Sequence, residues 1–96
     1  MNFCAERDPI THDVKCSPTY FRQVQGGNKT FELRLNDRDY REGDTIILRE
    51  FDRGANGCKG DYTGDSVIRK IGYVLQGYPG LQQNYCIMSL IEVEND

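Results

Sequence analysis

Gly26-Gly27-Asn28-Lys29-Thr30-Phe31-Glu32-Leu33-Arg34-Leu35-Asn36-Asp37-Arg38 is the stretch on which the reading of this chain turns. Two glycines end whatever precedes them, and polar and apolar residues then alternate. Thr30, Glu32, Arg34 and Asn36 fall on one side; Phe31, Leu33 and Leu35 fall on the other. A period of two marks a strand with one buried face, and the apolar side is expected to be that face. The opposite side then carries a carboxylate, a guanidinium and an amide in a row, with Lys29 before them and Asp37-Arg38 after. Such a row is either a solvated charged surface or a site.

Upstream, Met1 to Thr11 reads as a tail or an extra edge segment, and residues 12–96 as a single domain. His12-Asp13-Val14-Lys15-Cys16 alternates and predicts a short first strand. Ser17-Pro18 supplies an N-cap followed by proline at the first helical position. The helix runs through Gln25, with Tyr20, Phe21 and Val24 as its apolar stripe, and Gly26-Gly27 caps its end.

Downstream, Asn36 to Asp39 and Arg41 to Asp44 read as turns, with Gly43 the residue needing positive φ. Thr45 to Phe51 is a buried strand. Asp52 to Gly60 reads as a flexible hairpin loop. Ser66 to Leu75 is a long strand in which Gly72 marks a bulge. A single helical turn around Leu81-Gln82-Gln83 precedes a last strand from Asn84 to Val93. The expected fold is mainly β with one or two short helices, an α+β chain. Hairpin-type links join its later strands into a small, closed or nearly closed β-barrel capped by the helix.

The 96 residues suit one small domain, and 38% hydrophobic with 28% charged residues is the composition of a folded chain. A net charge of -3 argues against binding duplex DNA through bulk positive charge. Cys4, Cys16, Cys58 and Cys86 form no CxxC pair, and His12 is the sole histidine. No common zinc pattern results, and no metal or cofactor is expected. The N-terminus lacks an apolar leader core and no apolar run can cross a membrane, so reduced thiols and a cytoplasmic location are the expectation; separately, a monomer is expected.

Gly27-Asn28-Lys29-Thr30-Phe31-Glu32-Leu33-Arg34 fits the pattern G-x-K-x-x-E-x-R and resembles ASCH domains of the PUA-like superfamily. The segment from Pro18 to Gly26 is similar to the family's preceding helix. Glu32 and Arg34 continuing into Asn36-Asp37-Arg38, then Gly43-Asp44 before a strand ending Leu48-Arg49-Glu50, resemble a small phage and bacterial subfamily known mainly as a domain of unknown function. Tyr62-Thr63-Gly64 and Gly80-Leu81 through Tyr85 fit as well, so the likeness runs from about His12 to Ile91. The resemblance implies a PUA-like barrel and a cleft lined by Lys29, Glu32 and Arg34 between helix and barrel. It also implies RNA binding or, in some members, hydrolysis of acylated cytidine or of RNA. The amidohydrolase members carry threonine where Glu32 stands here, and Thr30 is two positions away.

Arginine offers a planar fork for phosphate or a base edge, and glutamate accepts from an exocyclic amine. Lys29 has the parity opposite to Glu32, so it joins the site only from a turn or bulge. The expected ligand-binding residues are Lys29, Glu32, Arg34, Asn36, Asp37, Arg38 and Tyr78, the last as a stacking surface in a glycine-proline loop. Arg49 is expected to pair with Glu32 or Asp37, and Tyr20 to sit in the core. The leading reading is a module for RNA or a modified nucleotide. One alternative is a small hydrolase of acylated nucleosides or RNA, with Lys29 as base and Glu32 as acid or water-positioning group. The other is a phage or bacterial protein-interaction module that uses the loop from Asp52 to Gly60.

Overall fold

The structure is a computed structural model that describes residues 7–54 and 59–93. The chain order is β1 (Thr11–Cys16), α1 (Pro18–Gln25), β2 (Phe31–Leu35), β3 (Thr45–Asp52), β4 (Asp61–Gln76) and β5 (Tyr85–Glu92). The strands form one five-stranded sheet in the order β1-β3-β4-β5-β2. The sheet curls into a half-barrel with α1 against its concave side, so the chain is mainly β with one short helix. No described helix is long and apolar enough to cross a membrane.

The helix starts and stops where its sequence directs. Pro18 occupies the first turn, and Ser17 stands at the N-cap in an extended conformation, but its side chain makes no capping bond. At the other end Gly27 takes φ +84°, a value that glycine adopts at no steric cost. The Gly27 N–H donates to Val24 O at 3.0 Å and the Asn28 N–H to Gln23 O at 2.9 Å, the paired bonds of a Schellman stop. Phe21 and Val24 point into the core. Tyr20, expected in the core, is exposed, because a stripe this narrow has room for only two inward residues per turn.

Pairing departs from a run of hairpins. β1 runs parallel to β3, and β2 pairs antiparallel with β5 rather than with β3. β3–β4 and β4–β5 are antiparallel. The register of β4 on β5 shifts between Ile71 and Val74, around the expected bulge at Gly72. A Cβ on Gly72 would strike the Ser89 hydroxyl, so the close approach itself demands glycine. A second shift falls at Arg49/Phe51; Glu50 follows Ile46 and Leu48 on the buried face of β3, where its carboxylate accepts from the Thr63 hydroxyl at 2.7 Å. Leu81–Gln83 form turns, not helix.

The decisive strand has its faces reversed relative to the expectation. Glu32 is 3% exposed, while Phe31, Leu33 and Leu35 are 48%, 53% and 45% exposed. The cause is register. Glu32 lies opposite Met88 and Arg34 opposite Cys86, and both partners belong to the concave, buried side of β5. Residues paired across a sheet share a face. The leucines are thereby placed on the convex side, where Leu33, Ile87 and Leu75 form an apolar row across three strands.

The core is built from Val14, Phe21, Val24, Ile46, Leu48, Ile71, Met88 and their neighbours. One polar cluster is sealed beside it. Asp44 is fully buried, and its carboxylate accepts from Arg7 Nη1 and Nη2 (both 2.9 Å) and His12 Nε2 (2.8 Å). The backbone N–H groups of Ile10 (3.1 Å) and Arg41 (3.0 Å) complete its bonds. Burial pushes this carboxyl up, but the bonds from Arg7, His12 and the two amides outweigh it and hold the group well below the usual carboxylate range. The His12 ring packs against Tyr40 in a tilted arrangement, centroids 4.6 Å apart, so the sole histidine serves this knot. Cys16 and Cys86 are free and buried. Cys4, Cys58, residues 1–6 of the tail and the tip of the loop between Asp52 and Gly60 lie outside the described residues.

Candidate functional site

A strand at each edge of the curled sheet leaves a gap where the barrel does not close. β1 and β2 are those edges. The bond from Thr45 N–H to Ile10 O sets the even residues of β1 against β3, so the carbonyls of Asp13 and Lys15 face the gap. From the other side, Arg34 Nη2 donates to Lys15 O at 2.6 Å, and Arg38 Nη1 reaches Asp13 O at 3.5 Å. Arginine side chains, not a backbone ladder, bridge the two edges.

Beside this bridge lies a cleft of about 640 Å³, within the range of small-molecule sites. Its buried carboxylate is Glu32. Lys29 Nζ stands 2.6 Å from Glu32 Oε1, and Arg34 Nε stands 2.6 Å from Oε2. Both carboxylate oxygens are therefore engaged by cations, which is what lets a glutamate face a concave, mostly dry side. The parity problem of Lys29 is solved by its place in the chain. It precedes β2, and its N–H bonds Gln23 O at 2.8 Å in the turn after α1, so strand alternation does not govern it. Its ammonium lies 5.2 Å from the Tyr20 ring and 5.3 Å from the Phe31 ring, a cation–π arrangement.

Of the other expected residues, Asp37 and Arg38 line the cleft. Asn36 does not; its Oδ1 accepts from Tyr40 N–H at 2.9 Å and its Nδ2 donates to Gln76 at 2.9 Å, so its amide shapes the turn. Tyr78 is exposed in its loop and is not among the lining residues. Arg49 pairs with Asp13 at 2.7 Å instead of with Glu32 or Asp37. Asp13 is simply nearer, one step before Val14, which lies opposite Leu48 in the parallel pair.

The sequence reading did not place Cys16, Ser17 or Tyr40 in the cleft, yet all three line it together with Tyr20 and Tyr85. Burial, with the Glu32 carboxylate nearby, pushes the Cys16 thiol up, which disfavours the thiolate needed of a nucleophile. Three lining cations (Lys29, Arg34, Arg38) stand against two carboxylates (Glu32, Asp37), so the cleft keeps one positive charge in a chain of net charge -3. No cluster of metal-ligating side chains occurs among the described residues. A weakly cationic, aromatic-walled slot of this size suits a planar ligand carrying a single anionic group.

A protein of Escherichia phage P2, "Uncharacterized 12.9 kDa protein in GpA 3'region", is 40% identical over 60 residues, which are 62% of this chain and 50% of the phage protein. The chain spans about half the length of that curated relative. Residues 11–90 match the family described as "Domain of unknown function (DUF3850)". That span begins with β1 and reaches into β5, taking in every lining residue of the cleft, and the chain belongs to the DUF3850 family.

Proposed function

We propose that this protein binds one nucleotide, free or within single-stranded RNA, in the cleft between β1, α1 and β2. The observation that carries the reading is the buried Glu32 carboxylate clamped by Lys29 and Arg34 on the wall of an aromatic-lined hollow. A purely structural ion pair needs no hollow beside it. The resemblance of the G-x-K-x-x-E-x-R stretch to ASCH domains of the PUA-like superfamily supports the same reading. The arginine fork and the ammonium suit a phosphate, and Tyr20, Phe31 and Tyr85 offer faces and edges for a base. The cleft's single surplus charge fits local contact with one nucleotide and does not suit a long duplex.

Titration of the purified protein with nucleosides, nucleoside monophosphates and short single-stranded RNAs tests this. Saturable binding that Arg34→Ala weakens at least about tenfold, a loss of about 1.4 kcal/mol, is the expected result. No binding by wild type, or equal binding by wild type and variant, contradicts it. The same samples incubated with acylated cytidine and labelled RNA test hydrolysis. Turnover abolished by Lys29→Ala would make the cleft an active site; turnover that survives the variant marks a contaminant.

A further inference from the structure

β2 is an edge strand, and its unpaired side faces the gap beside the cleft. Leu90 N–H donates to Thr30 O at 2.9 Å and Asn36 N–H to Asn84 O at 2.7 Å, which sets the even residues of β2 against β5. In an antiparallel ladder the intervening residues turn both backbone groups the other way. The N–H and C=O of Leu33 therefore face the gap. Leu33 is also one of the residues that line the cleft, and its side chain stands half-exposed.

The two edges that face each other across the gap are unlike. On β1 the outward carbonyl of Lys15 is taken by Arg34, and that of Asp13 is approached by Arg38. On β2 the carbonyl of Leu35 accepts from Asp37 N–H at 3.0 Å. The N–H and C=O of Leu33 have no partner among the described residues. They sit one residue from Glu32 and one from Arg34, about 3.4 Å along the strand from each.

We propose that the free N–H and C=O of Leu33 read the hydrogen-bonding edge of the base, which makes this main-chain segment a specificity determinant of the nucleotide site. The inference rests on the nucleotide reading above. A strand edge offers one donor and one acceptor from a single residue, nearly in the plane of the sheet. The Watson–Crick edge of a base offers an adjacent acceptor and donor in the plane of its ring. A base laid against β2 continues the ladder as a further strand would. Main-chain groups are already fixed by the β5 pairing, so ordering them on binding costs little. The division of labour follows. Leu33 takes the base edge, while the ammonium of Lys29 and Nη1 of Arg34 remain for the phosphate. A methyl group on the edge nitrogen of the base would remove one bond and strike the strand.

The test combines a ligand change with a backbone change. Binding of AMP, GMP, CMP and UMP to wild type is measured by calorimetry, and the tightest of them is compared with its analogue methylated on the Watson–Crick edge. Leu33→Pro removes the N–H on the side away from β5, where a proline costs the ladder no bond. Replacement of Leu33 by its α-hydroxy acid removes the same N–H and keeps the side chain, in case proline prevents folding.

Methylation is expected to weaken wild-type binding about tenfold or more, the loss of a bond left unmade at a dry edge. Either N–H-deleted protein is expected to bind the parent nucleotide about tenfold more weakly, with most of the methylation penalty gone. A methylation penalty that persists undiminished in both, or unchanged parent binding by both, overturns the role of Leu33 while leaving the nucleotide site standing. Methylation without effect on wild type does the same. Failure of wild type to bind any of the four nucleotides removes the site and the role together.

Discussion

Asp44 and Glu32 are two carboxylates withdrawn from water in the same small sheet, and each is held by basic side chains. They differ in what lies beyond those partners. Asp44 accepts from Arg7, His12 and two backbone amides, and the cluster is closed by Tyr40. Among the described residues Glu32 accepts from Lys29 and Arg34 alone, and those two side chains border a hollow of about 640 Å³. The first arrangement ties the segment before β1 to the turn before β3. The second keeps cations pointed at a space that a ligand can fill. Burial of a charge thus has two meanings in one molecule, and the surrounding volume separates them.

The contrast predicts unequal costs. The largest belongs to Asp44→Asn, which leaves Arg7 facing a neutral amide in a buried place and is expected to lower unfolding stability by about 3–5 kcal/mol in urea melts. Nucleotide affinity of the folded fraction should stay as in wild type. If the two results are exchanged, the assignment of roles is wrong. Acid sharpens the same point. The Asp44 carboxyl is held below its ordinary value, so its contribution is complete above about pH 4 and is lost as pH falls toward the folded-state value. Wild type should therefore lose stability below about pH 4 more steeply than Asp44→Asn; parallel pH profiles in that range would contradict this.

Glu32→Gln comes next. It removes the shared acceptor of Lys29 and Arg34 and is expected to cost about 1–3 kcal/mol, with a loss of ligand binding that Asp44→Asn does not show. The smallest effect is expected on the convex side of the same strand. Leu35→Thr should change stability by only about 0.5 kcal/mol, because the side chain is already half in water. A loss several times larger would mean that this face is covered after all.

Much of the frame is legible in the residues. Ser17-Pro18 and Gly26-Gly27 bracket the helix, Gly72 marks the bulge, and Gly43 takes φ +93° as its turn requires. The alternation from Thr30 to Asn36 also marks a strand, but it does not tell which face is inward. Hydrophobicity alone points to Phe31, Leu33 and Leu35. Pairing with β5 decides otherwise, and pairing between segments fifty or more residues apart leaves no local trace. The grouping of Lys29, Glu32 and Arg34 is visible as spacing. The Asp44 knot is not, because its partners Arg7 and His12 come from a distant segment and no periodicity connects them. Asn36 and Tyr78 stand away from the cleft for a similar reason: polar and aromatic turn residues look alike whether they shape a loop or meet a ligand.

The central claim is that the hollow beside Glu32 receives a nucleotide. Backbone amide shifts of isotope-labelled protein titrated with a nucleoside monophosphate test it most directly. Saturable shifts are expected at Cys16, Ser17, Tyr20 and from Lys29 through Arg38, with the amides of Ile10 and Asp44 left in place. Shifts confined to Leu75 and Ile87 on the convex face while Lys29 and Glu32 stay still, or no shifts at all, would contradict it.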